Sequence, residues 1–206
     1  TLFSSEKINV YVTYTYEVDT RLETAPNIGI ATDGTYIYTL DNTGVVWKYN
    51  RSDGAYVAKS GVQTAITGSK LGAGLFYDAT AGELIITTFT GTGAGVYPKF
   101  VRVNTSTLAV SSSVYSASAG TTFNGTSDSI RGGARLADPL NASAATYWIA
   151  TTSKVYAYTF SGSTATQTSN RDFGQLLTVG DGLTHDGSIF RGYSAATPTK
   201  IWKFTG

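Results

Sequence analysis

The residues best placed to do chemistry are carboxylates. Asp33, Asp78 and Asp186 each stand four residues after a glycine (Gly29, Gly74, Gly182), and Asp138 stands five after Gly133. Gathered on one rim, four such groups could bind Ca²⁺ through oxygen ligands. Two of them at a spacing of roughly 5–10 Å could also serve a glycoside hydrolase or lyase, with Asp78, Glu83, Asp138 and Asp186 as donors. The competing reading is that each aspartate caps its own turn, as Asp does when its side chain bonds the backbone two residues on. Recurrence at every position favours capping, because catalysis seldom needs the same group four times. No catalytic residue and no metal site are assigned on this basis, and no cofactor is expected beyond a possible Ca²⁺. The single histidine, His185, precedes Asp186 where the matching positions hold Thr32, Tyr77 and Ala137. Residues with no shared chemistry at one position point to a structural role. One imidazole without cysteine or clustered carboxylates does not make a metal site, and a cysteine count of zero excludes thiol catalysis and disulfides.

Aromatic residues are the other candidates. Among 14 tyrosines, Tyr97 and Tyr193 are placed to stack on a sugar or a protein surface. In the run Lys7 to Val18, alternation puts Val12, Tyr14 and Tyr16 with Ile8, Val10 and Val18 on one face of a strand. That face must be buried, either as the closing strand of the fold or as an interface. The 15 basic residues are scattered singly against 14 acidic ones, so no phosphate-neutralising patch is present and nucleic acid is not expected. No apolar stretch approaches about 18 residues, so no membrane span is expected.

The elements that must position these groups are strands. Gly numbers 23, Thr and Ser make up roughly a quarter of the chain, and runs of strong helix formers are missing. Turn signals recur every 8–12 residues or so. The segment from Gly29 runs through Asp33-Gly34-Thr-Tyr36-Ile-Tyr38, then Thr43-Gly44-Val-Val-Trp47-Lys48-Tyr49, then Asp53-Gly54. The same order returns after Gly74, Gly133 and Gly182, at intervals of about 45, 59 and 49 residues. Propeller blades run about 40–50 residues. The expectation is an all-β chain, a small β-propeller of about four four-stranded blades over 27–65, 66–118, 119–175 and 176–206. The last copy stops after its third strand, and residues 1–26 are expected to supply the missing strand or a linker. The stretch 28–57 resembles the blades of quinoprotein-like and WD-type propellers, in which a DG-x-x-Y hairpin precedes a G-x-x-W strand. That resemblance implies a fold; sialidase-type Asp boxes and a quinone-site pattern are absent.

Each recurring residue has a physical reason. Glycine in the innermost strand lets neighbouring backbones crowd, Asp-Gly suits tight turns, and aromatics in the third strand fill the space between blades. The zero methionine count leads to the expectation that Thr1 follows other sequence. Without Cys or Met, near neutrality and with small-residue loops, the chain reads as a non-enzymatic binding or structural module on a cell or virion surface. Phage tail-fibre, spike or adhesin modules are the models, the partner is a glycan or a protein, and a homo-oligomer or larger assembly is possible. A propeller hydrolase and a purely architectural subunit are the alternatives.

Overall fold

The computed structural model describes residues 27–63, 66, 70–89, 98–117, 130–138, 141–151, 154–172, 180–185, 190–194 and 200–204. These residues form strands and turns, and the strands fall into sequential antiparallel units. The first unit holds β1 (Asn27–Thr32), β2 (Tyr36–Asp41), β3 (Val46–Asn50) and β4 (Tyr56–Lys59) in the order β1-β2-β3-β4. The second holds β5 (Lys70–Asp78), β6 (Glu83–Phe89), β7 (Pro98–Asn104) and β8 (Val110–Ala117). The third holds β9 (Ile130–Asp138), β10 (Asn141–Thr151), β11 (Lys154–Ser161) and β12 (Thr164–Asp172). The described part of the fourth is β13 (Gly180–His185), β14 (Phe190–Ser194) and β15 (Lys200–Phe204). The proposed closing strand, with Val12, Tyr14 and Tyr16, lies outside the described residues.

The first unit is a meander because its turns are short and carry the residues that tight turns need. Gly34, Gly44 and Gly54 have positive φ (93°, 88° and 69°), a backbone state that glycine reaches without steric cost. Pro98 opens β7, where a missing N–H breaks no ladder bond. The second and third units join into one eight-stranded sheet through a short parallel pairing of β8 with β12, Ser116 opposite Thr164 and Ala117 opposite Ala165. This link was not anticipated from the repeat, which treats the units as separate sheets.

The first strands pack in succession, β1 against β5, β5 against β9 and β9 against β13. Their glycines permit this approach. A Cβ on Gly29 would stand 2.8 Å from the Leu75 Cβ, and one on Gly133 would stand 2.6 Å from the Phe76 ring. Among the described residues two cores lie between the units. One joins Tyr38, Leu40 and Val46 of the first unit to Leu75, Leu84, Ile86, Val101 and Val103 of the second. The other joins Phe76, Ile85 and Phe100 of the second to Tyr147, Ile149, Tyr156 and Tyr158 of the third. The third-strand aromatics therefore fill the space between units: Phe100 lies 5.1 Å from Tyr158 and 4.9 Å from Phe160, centre to centre.

Candidate functional site

Asp33 and Asp78 occupy the same place, the turn between the first and second strands of their units. Asp33 Oδ1 accepts the N–H groups of Thr35 (2.8 Å) and Tyr36 (2.7 Å), and its Oδ2 accepts the Tyr38 hydroxyl at 2.8 Å. Burial pushes this carboxyl up. The Tyr36 N–H, the Tyr38 hydroxyl, the Thr35 N–H and the charge of Lys48 together outweigh it, so the pKa ends below the ordinary 3.8. The Tyr38 hydroxyl is pushed well up by burial and by its bond to Asp33. Asp78 Oδ1 likewise accepts the N–H groups of Thr80 (3.1 Å) and Ala81 (3.2 Å). Both aspartates are turn caps.

Asp78 does more than cap. It is 1% exposed, and its Oδ2 accepts Arg102 Nη1 at 3.3 Å and the Tyr147 hydroxyl at 2.7 Å. Arg135 Nε stands 3.0 Å from Oδ1, a close ion pair whose N–H points off the line to the oxygen. The Arg135 Nη1 donates to the Thr80 hydroxyl at 2.6 Å. Arg102 also bonds Glu83 Oε2 at 3.1 Å and donates through Nη2 to the Tyr147 oxygen at 2.6 Å. The Tyr147 ring stacks on Phe160 with centres 3.8 Å apart, and both guanidiniums lie within 6 Å of its centre, at 5.6 and 5.9 Å. Burial and the bond to Asp78 raise the Tyr147 pKa. Two carboxylates thus face two guanidiniums across the junction of the second and third units. Asp78 has its oxygens committed, and Glu83 shares the same Arg102. This geometry ties the second and third units together through Asp78.

The third strand supplies the cation in both junctions. Lys48 and Arg102 each stand two residues before the asparagine that begins the next turn, Asn50 and Asn104. Lys48 Nζ lies 3.8 Å from the Tyr36 ring centre and donates to the Thr105 carbonyl of the second unit at 3.0 Å. A second internal aspartate, Asp41, was not singled out from the sequence. It is 2% exposed; its Oδ1 accepts the Thr43 N–H (2.8 Å), Thr43 hydroxyl (2.7 Å) and Val45 N–H (3.0 Å). Its Oδ2 accepts the Trp47 indole N–H at 2.9 Å. Burial raises its pKa, and these bonds, the Thr43 hydroxyl and Trp47 first among them, bring it below 3.8.

The other sequence candidates are not brought into this constellation by what is described. Asp138 ends β9, Tyr193 lies in β14 and His185 ends β13, each described by its backbone position alone. Asp186 and Tyr97 lie outside the described residues. No three His, Cys, Asp or Glu side chains cluster as a metal site among the described residues. What the first unit does present is apolar surface. Ile30, Tyr56, Val57 and Val62 are exposed. Val62 also lines a cleft of about 420 Å³ between Lys59–Gln63 and Thr107–Val110.

Solved structures are similar to this chain. The WD40 repeats of RRP9 match at a TM-score of 0.50 and 10% identity, over 90% of this chain and 53% of that one. The fold is a β-propeller. The structure of U3-55K matches at a TM-score of 0.49 and 10% identity, over 90% and 54%. A putative 6-phosphogluconolactonase from Bacteroides uniformis matches at 0.49 and 11%, over 85% and 52%. The propeller chain spans about half the length of these structures. No family model matches its sequence, and no curated protein does. At such identities the likeness carries the fold and no activity. The residues missed from the sequence were Arg102, Arg135, Tyr147 and Asp41. The signal for one of them was present, since Lys48-x-Asn50 and Arg102-x-Asn104 occupy the same repeat position.

Proposed function

We propose that this propeller is a non-enzymatic binding and assembly module that works through protein contacts. One observation carries the reading. Its described inward charges are spent on each other and on turns, while the large apolar side chains exposed among the described residues are Ile30, Tyr56, Val57 and Val62, in the first unit or its exit. Aromatic and aliphatic side chains ringed by polar ones suit a protein partner. Display on a cell or virion exterior is supported by composition, namely no Cys, no Met and loops of small residues.

The test places a photo-crosslinking amino acid at Val57 and, in parallel, applies the chain to a glycan array. The expected result is a discrete protein cross-link that Tyr56→Ala weakens, with a blank array. Specific array binding without a protein cross-link would sink the protein reading in favour of a sugar.

A further inference from the structure

The chain leaves the first unit over Ser60–Gln63, and this crossing lies against the turn that joins β7 to β8. Gln63, 5% exposed, holds the two together. Its backbone N–H donates to the Gly44 carbonyl at 3.2 Å, and its Nε2 donates to the Leu108 carbonyl at 2.9 Å. The second bond fixes the orientation of the amide, so Oε1 is the end left over. Oε1 accepts no hydrogen bond among the described residues. Leu108 stands where the first unit has Gly54: the N–H of each donates to an asparagine carbonyl four residues back, at 2.9 Å in both turns. Its φ is +56°, a state that strains a leucine. Burial of its side chain in the core shared by the two units, together with the Gln63 bond, holds it there. Strain of this kind gathers at ligand clamps. Between crossing and turn lies the cleft of about 420 Å³, within the roughly 300–1,000 Å³ of ligand clefts. Ser60, Gln63 and Leu108 are its buried lining, and Lys59 and Val62 are exposed along it.

Three residues along this cleft have unspent chemistry. The Lys59 ammonium lies 4.6 Å from the Trp47 ring centre and has no acidic partner among the described residues. Val62 presents an apolar side chain, and its N–H and C=O make no hydrogen bond among the described residues. Gln63 adds Oε1 as an acceptor. An extended peptide answers each in kind. Its main-chain N–H and C=O groups suit the Val62 backbone and Gln63 Oε1, an apolar side chain suits that of Val62, and a carboxylate suits Lys59. The lining holds one cation and no aromatic ring. It therefore lacks the arginine fork that favours a phosphate and the stacking face that favours a sugar. We propose that this cleft binds an extended, carboxylate-bearing segment of a protein partner. The inference rests on the reading of the exposed apolar residues as a protein-binding surface and names the chemistry of the partner.

The test applies the full chain to an array of blocked pentapeptides with glutamate at the centre and neutral residues on either side. Each is paired with its glutamine counterpart, and the tightest pair is titrated in solution by fluorescence polarisation. The glutamate peptide is expected to bind about fivefold tighter, the upper end for an exposed ion pair. That preference should shrink in high salt. Lys59→Gln is expected to erase it and Lys59→Arg to keep it. Val62→Ser is expected to weaken both peptides on the order of fivefold. Both positions are exposed, and an unchanged circular dichroism spectrum checks that the variants fold. Asp53→Ala, in an exposed turn outside the cleft, is expected to bind as the wild type does. Equal affinity for the two peptides, or indifference to Lys59→Gln or to Val62→Ser, overturns the inference. So does free acetate that competes at the peptide's own concentration, which would assign a small acid instead. An array without binding, while Val57 still cross-links a protein, overturns the cleft alone and leaves the protein-binding reading standing. No binding and no cross-link removes both.

Discussion

Asp78→Ala is the sharpest probe of the junction between the second and third units. The substitution removes one carboxylate from a site where it is 1% exposed. Arg102 keeps Glu83 at 3.1 Å, but Arg135 loses its ion pair, and the Tyr147 hydroxyl loses its acceptor at 2.7 Å. The Thr80 and Ala81 N–H groups lose their cap as well. Removing one partner of a buried ion pair costs about 3–5 kcal/mol, because the other charge stays behind unpaired. Urea unfolding followed by fluorescence reads this as a shift in midpoint at unchanged slope. Tyr147→Phe keeps the ring on Phe160 and removes only the hydroxyl, so about 1–2 kcal/mol is expected. Glu83→Gln should cost less than Asp78→Ala, since Glu83 is 20% exposed at its side chain and has a single described ion pair. If Asp78→Ala costs under about 1 kcal/mol, or less than Glu83→Gln, the account of the network as a buried tie is wrong.

Two further outcomes follow from the turn aspartates. Asp41→Ala strands the buried Trp47 indole N–H and uncaps the Thr43 and Val45 N–H groups of the turn, and about 2–4 kcal/mol should be lost in the same urea assay, with a change in tryptophan emission. Asp33 and Asp41 both titrate below the ordinary 3.8 in the folded chain. Their contribution is therefore fully present above that value and is lost as the pH falls through the lowered values. Thermal midpoints measured against pH should fall below about pH 4, and Asp33→Asn with Asp41→Asn should flatten that limb. A limb of equal steepness in the double variant would show that other groups carry it.

Much of the scaffold was legible because its determinants are local. The lead glycines, the turn aspartates and the third-strand aromatics repeat with the units, and each has a short-range reason: close backbone approach, N–H capping, filling of a gap. Asp33 and Asp78 cap turns as their repetition suggested. The tie between units was not legible, because it is long-range. Asp78 meets Arg102 across 24 positions and Tyr147 across 69. In the sequence each arginine is a lone cation, indistinguishable from a solvated one; only the packing of one unit on the next sets two of them around one carboxylate. The parallel pairing of β8 with β12 is hidden for the same reason, since a pairing of two residues leaves no pattern in either strand.

The two kinds of junction also bear on how a ring of like units keeps its order. Sheets with similar apolar faces could stack in any sequence if hydrophobic burial were the whole interaction, because that force has no direction. Here the faces differ in their polar groups. The second unit turns Asp78 and Arg102 toward the third, which answers with Arg135 and Tyr147. Asp78 is therefore a determinant of stacking order as well as of stability: a second unit that met any other face would bury this carboxylate without Arg135 and Tyr147, at a cost of several kcal/mol.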